Sequence, residues 1–111
     1  MSIVRGWPDH NLKFDHDLKS WVGLFQPIYD GLKTHDLRVL DRKYTVGDIC
    51  LLREWEATKS QYTGRWVLLE ITYITSAQHS PCAFSPFALH EAMGVLSIKV
   101  LDRSPPDGEG V

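Results

Sequence analysis

The segment Gly31-Leu32-Lys33-Thr34-His35-Asp36-Leu37-Arg38 places three side chains of complementary chemistry within six positions. Arg38 offers a planar fork able to clamp a phosphate or carboxylate with two parallel hydrogen bonds, and Lys33 offers a compact positive charge. Asp36 can accept from an exocyclic amino group of a base. Between Lys33 and Lys43 four cations (Lys33, Arg38, Arg42, Lys43) stand against two anions (Asp36, Asp41), a local excess that suits one or two phosphates rather than a long duplex. The same residues also admit a plainer reading, in which Asp36 neutralises Arg38 or Lys33 along a strand surface. A second group lies further on: Arg53, Trp55, Tyr62, Arg65 and Trp66 interleave aromatic rings with guanidinium groups, as single-strand binders do to stack exposed bases. Here too the alternative is structural, and the two Trp read first as core. Tyr62, inside a polar loop, is the exposed ring.

Other chemistries lack their residues. There is no G-x-S-x-G elbow, no phosphate loop ending in GK[ST] and no G-x-G-x-x-G turn. Asp15-His16-Asp17, and His79 with Cys82, carry ligand atoms, but a structural zinc site needs about four well-spaced Cys or His. No metal site or other cofactor is expected, and His16 reads as a hydrogen-bonded strand residue. Cys50 and Cys82 are too far apart for a C-x-x-C redox pair and read as reduced, structural thiols.

These residues must be held by one core, because a chain of 111 residues makes a single domain. Hydrophobic residues make up 43% and charged residues 23%, a globular composition that excludes disorder of the whole chain. The net charge of −2 excludes a generic coat for nucleic acid while leaving room for a local basic patch. No apolar run approaches the roughly 20 residues that span a bilayer, and Met1–Asp9 lacks the pattern of a secretory leader. No membrane association is expected, and a cytoplasmic location follows as the default.

Periodicity supplies the elements. Residues 1–12 read as a loosely held arm, 13–102 as the domain, and 103–111, with Pro105-Pro106 and two Gly, as a disordered tail. Lys13 to Lys19 alternates as a half-buried strand. Trp21, Leu24, Phe25, Ile28, Tyr29 and Leu32 recur at helical spacing, so a helix is predicted over 20–31, with Ser20 as N-cap, Gly31 as stop and a kink at Pro27. Period two returns from Thr34, with Asp36 and Arg38 on one available face. Further strands are predicted at 49–56, 65–75 and 94–101, separated by the Val46-Gly47-Asp48 turn, a polar loop at 58–64 and a long loop at 76–89. In the predicted strand at 65–75, Val67, Leu69, Ile71 and Tyr73 share one face. Five strands and one early helix on one core predict an α+β, mainly β fold: a small mixed β-barrel with a capping helix near residues 20–31.

The run from Asp30 to Arg38, followed by Val46-Gly47-Asp48 before an apolar strand, resembles the signature of ASCH domains in the PUA-like superfamily of small β-barrels. With His16-x-Leu18-Lys19, Trp21, Leu51-Leu52-Arg53-Glu54-Trp55 and Tyr62-Thr63-Gly64-Arg65 it resembles more narrowly an uncharacterised ASCH-like family of bacteria and phages, over roughly His16 to Leu101. The resemblance implies a cleft between helix end and sheet that takes RNA or a modified nucleobase, with Lys33, Asp36 and Arg38 as its walls. Arg53, Tyr62 and Arg65 are the further candidates for binding RNA.

One branch of the ASCH group deacetylates N4-acetylcytidine with a Lys, a Thr and a Glu. Lys33 matches the Lys, Asp36 stands at the Thr position, and residues 71–90 contain no Asp or Glu, so Glu91 is the nearest acid. The resemblance therefore implies an RNA- or nucleobase-binding module first. A nucleoside amidohydrolase built on Lys33, Asp36 and Glu91 comes second. A protein-interaction factor is the third reading, motivated by Phe84, Phe87 and Leu89 in the loop 78–89.

Overall fold

A computed structural model describes residues 13–77 and 90–106. The predicted arm at 1–12, the partner loop at 78–89 with Phe84, Phe87, Leu89, His79 and Cys82, and the last five residues lie outside the described residues. The order of elements is β1 (His16–Trp21), α1 (Val22–Tyr29), β2 (His35–Val39), β3 (Ile49–Glu56), β4 (Gln61–Ser76) and β5 (Met93–Arg103). They form one mainly β, α+β domain whose five strands run in the order β1-β3-β4-β5-β2. β1 pairs with β3 in parallel and the other pairs are antiparallel.

The first and second strands of the chain are thus the two edges of the sheet. Irregularities in register at Arg53/Trp55, Leu68/Leu69 and Ile71/Tyr73 add bends of the kind that curl a sheet toward closure. The curl brings the edges within reach of each other, and Arg38 Nη2 on β2 donates to the Lys19 carbonyl on β1 at 2.9 Å.

The concave face holds the main core. Leu18, Cys50, Leu52, Val67, Leu69, Ile71, Ile74, Leu96 and Ile98 pack there against Phe25, Ile28 and Tyr29 of α1. Leu51, Trp66 and Leu68 form a smaller cluster on the convex face, which explains why β3 and β4 read as apolar on both sides. The expectation that Tyr73 shares a face with Ile71 is corrected by the bulge between them: one extra residue turns Tyr73 outward and Ile74 inward.

The helix is shorter than the predicted 20–31. Ser20 belongs to β1, and the helix begins after Trp21 with no side-chain cap. Of its predicted apolar stripe only Phe25, Ile28 and Tyr29 are buried, while Trp21, Leu24 and Leu32 are exposed. Pro27 lies inside the helix, and its carbonyl accepts from the Leu32 and Lys33 N–H groups. Gly31, at φ +78°, ends the helix as its sequence suggests, in a conformation a side chain would resist.

Two further boundaries move. Tyr62 is not in a loop: it opens β4 opposite Trp55, and the connection shrinks to the turn at 57–60. The expected tail from 103 is also corrected, because β5 runs through Arg103 and Ser104 is buried. The Ser104 N–H donates to the Trp66 carbonyl at 3.0 Å, and its Oγ accepts from the Trp66 N–H at 3.0 Å. Tyr29 OH donates to the Ser104 carbonyl.

Candidate functional site

The two sheet edges border a cleft of about 720 Å³ that runs along the seam between β1 and β2. The size suits a small ligand or a nucleoside, which typically need roughly 300–1,000 Å³. Its floor includes Leu18, Ser20, Asp36 and Tyr44, all buried, and its rim carries Lys19, Trp21, Leu37, Val39 and Arg42.

Alternation explains how the strands supply both layers. On β2, Asp36 and Arg38 pair across to Leu96 and Gly94 and face the concave side, whereas His35, Leu37 and Val39 face out. The predicted sharing of one face by Asp36 and Arg38 holds in the structure, but that face points inward rather than lying open. Asp36 is only 6% exposed, because Arg38 Nε donates to its Oδ2 at 2.6 Å. The guanidinium is anchored twice, by this carboxylate and by the Lys19 carbonyl, which fixes it at the cleft wall. A guanidinium held in this way keeps a defined orientation for a ligand.

The convex face of β1 and β3 contributes a second cationic and aromatic layer. Arg53 Nε and Nη2 donate to the two Asp17 oxygens at 2.7 and 2.9 Å, and the guanidinium lies 3.9 Å over the Tyr62 ring. Lys19 Nζ stands 3.9 Å over the Trp55 ring, and Trp55 meets Tyr62 edge to face at 4.9 Å. Such cation–ring contacts contribute about 0.5–1 kcal/mol each at exposed sites. Lys19 has no carboxylate partner among the described residues, whereas Asp36, Asp17 and Asp41 pair with Arg38, Arg53 and Arg42. Three cations (Lys19, Arg38, Arg42) thus balance three carboxylates (Asp17, Asp36, Asp41) in the cleft lining, and Arg53 behind it adds one further positive charge through its pairing with Asp17.

The other predicted residues are dispersed. Lys33 is half-buried at the end of α1 and does not line the cleft. Glu91 is exposed and lines a separate hollow with Leu40, Arg42, Lys43 and Tyr44. The three groups of the amidohydrolase reading thus occupy different places: Asp36 in the cleft, Glu91 in the neighbouring hollow and Lys33 in neither.

Arg65 is turned toward α1, where Nη2 donates to Gln26 Oε1 at 2.8 Å and the guanidinium lies 4.5 Å over Tyr29. It also faces Glu54, a buried carboxylate that accepts from Thr63 Oγ1 at 2.7 Å. The two Trp of the aromatic group divide: Trp66 is core, and Trp55 is half-buried on the ridge beside Tyr62.

The Asp15-His16-Asp17 triplet is pulled apart by strand alternation. His16 Nε2 bonds Asp48 Oδ2 at 2.7 Å, Asp15 accepts from the Ile49 N–H at 2.8 Å, and Asp17 holds Arg53. No group of three or more His, Cys, Asp and Glu suited to a metal occurs among the described residues. Burial alone would raise the Asp48 pKa, but the His16 hydrogen bond, the Thr45 N–H and the His16 charge outweigh it and hold the carboxyl below its ordinary value. Burial also raises Tyr44 and pushes the Cys50 thiol up to about 12.

Sequence reasoning missed Lys19, Trp21 and Tyr44 as cleft residues and had Arg42 only in the local charge count. Their signal was partly present, since Lys19 and Trp21 lie two apart, but Trp21 also fits the helical stripe that follows. Among the described residues no helix is long and apolar enough to cross a membrane.

No curated protein matches the chain. A family model does, over residues 15–98, which takes in β1 through most of β5 and every residue of the cleft. The chain therefore belongs to the family described as a domain of unknown function (DUF3850).

Proposed function

We propose that the chain is an ASCH-type, PUA-like module that binds RNA or a nucleobase-containing ligand in the β1–β2 cleft. The observation that carries this reading is the doubly anchored Arg38 guanidinium at the wall of an aromatic-rimmed cleft of nucleoside size. Asp36 and Arg38 supply fixed polar groups, Trp21 and Tyr62 supply ring faces, and Lys19 and Arg42 supply charge for a phosphate. The resemblance of Gly31-Leu32-Lys33 and Asp36-Leu37-Arg38 to the ASCH pattern supports the same reading, although Lys33 is set back from this cleft. The dispersal of Lys33, Asp36 and Glu91 makes binding the better reading than amide hydrolysis.

Only a short or single-nucleotide ligand suits this charge balance. Isothermal titration with nucleoside monophosphates and short single-stranded RNAs tests the proposal, using Lys19→Ala and Arg42→Ala, whose side chains are exposed. Each substitution is expected to weaken binding several-fold and to lower its salt dependence. Absence of binding to any nucleotide, or unchanged affinity in the Lys19→Ala/Arg42→Ala pair, would sink it.

A further inference from the structure

Trp21 is 60% exposed, an unusual setting for so large a ring, and it stands in register with Trp55 across the parallel β1–β3 pair. Both indoles line a second hollow of about 450 Å³, together with Val22, Gly23, Leu24, Glu56, Ala57 and Thr58. Trp21 and Leu24 line both this hollow and the cleft, so the two cavities are neighbours that share a wall. Lys19 sits at the junction, lining the cleft while its ammonium stands over the Trp55 ring of the hollow.

We propose that the hollow is a second stacking subsite, which takes the base adjacent to the one in the cleft, so that the ligand is a single strand of at least two nucleotides. The inference rests on the base-binding reading of the cleft and extends it. The hollow is walled by two indoles and is otherwise mainly apolar, as a sequence-tolerant base platform requires, and its one carboxylate, Glu56, faces Lys59 at 3.9 Å. The phosphate linking the two bases then falls beside Lys19, a cleft-lining cation with no carboxylate partner among the described residues. Continuity through Trp21 and the charge at Lys19 favour this occupant over an apolar peptide, which would bring the ammonium no anion.

The test uses Gly23, which lines the hollow and not the cleft. A Cβ built there meets nothing within 4 Å, so the backbone admits a side chain, and Gly23→Leu is chosen to occupy the hollow while placing a better helix former in α1. Binding of a nucleoside monophosphate is compared with that of the dinucleotide and pentanucleotide of the same base, by titration calorimetry on the parent, Gly23→Leu and Trp21→Ala. The parent is expected to bind the dinucleotide roughly ten-fold more tightly than the monophosphate, the gain of one stacked base. Gly23→Leu should erase that advantage while leaving monophosphate affinity unchanged, and Trp21→Ala should weaken both ligands. Equal affinity of the parent for monophosphate and dinucleotide would overturn the second subsite and leave the cleft reading standing, as would an advantage that survives Gly23→Leu. Failure of every nucleotide to bind would overturn both.

Discussion

Removing the Arg38 guanidinium should reveal how much the closure of the seam depends on one side chain. In Arg38→Met the apolar stem is kept, but the 2.6 Å bond to Asp36 and the 2.9 Å bond to the Lys19 carbonyl are lost, and the Asp36 carboxylate is left at 6% exposure without its cation. Breaking a fully buried pair costs about 3–5 kcal/mol. The Arg38 side chain is 20% exposed, so solvent reclaims part of that and a loss of ~2–3 kcal/mol is expected. Asp36→Asn keeps an acceptor for Arg38 and should cost only about 1 kcal/mol. Because the stranded carboxylate accounts for much of the Arg38→Met cost, the double variant should be more stable than the sum of the single losses by ~1.5 kcal/mol. Urea unfolding followed by far-ultraviolet circular dichroism reads this directly: with a slope of roughly 1–3 kcal/mol per molar, Arg38→Met should lower the midpoint by ~1–2 M. An unchanged midpoint for Arg38→Met, or strict additivity in the double variant, would refute the seam-closing role.

Three further expectations follow from the same structure. The Asp48 carboxyl is held below its ordinary value of 3.8, so its contribution to stability is complete above that pH and is lost as the pH falls through the depressed value. Asp48→Asn should therefore unfold at a lower urea midpoint than the parent at pH 6, with the gap narrowing below about pH 4, and a constant gap would contradict the pairing with His16. Cys50 is fully buried with its thiol pushed up to about 12, so in a Cys82→Ser background iodoacetamide at pH 8 should label it only at the rate of unfolding. Rapid labelling of the folded protein would refute that burial. Ser104→Ala removes the acceptor of a buried Trp66 N–H and should lower stability by about 1–2 kcal/mol, whereas a tail outside the fold would show no change.

The strands were legible where a single period governs them: β3 falls at 49–56 as its apolar run suggests, and Asp36 and Arg38 share a face as two-residue spacing requires. Gly31 ends the helix for the reason its residue type predicts. What could not be read locally came from the curl of the sheet. The face of β2 carrying Asp36 and Arg38 looks like a polar outer face until the edges β1 and β2 approach each other and turn it into the wall of a cleft. Trp21 was ambiguous because it satisfies both a strand ending and a helix beginning, and its exposure depends on which element claims it. Ser104 escaped notice because its anchoring partner, Trp66, lies 38 positions away.

The most direct test of the account is a nuclear magnetic resonance titration of the labelled full chain with a short single-stranded RNA. Amide shifts should concentrate on residues 17–24, on 36–42 and on Tyr62, the elements that wall the cleft and the adjoining hollow. Shifts confined to the exposed residues Tyr73 and Leu101, or no shifts at all, would contradict base binding at the seam.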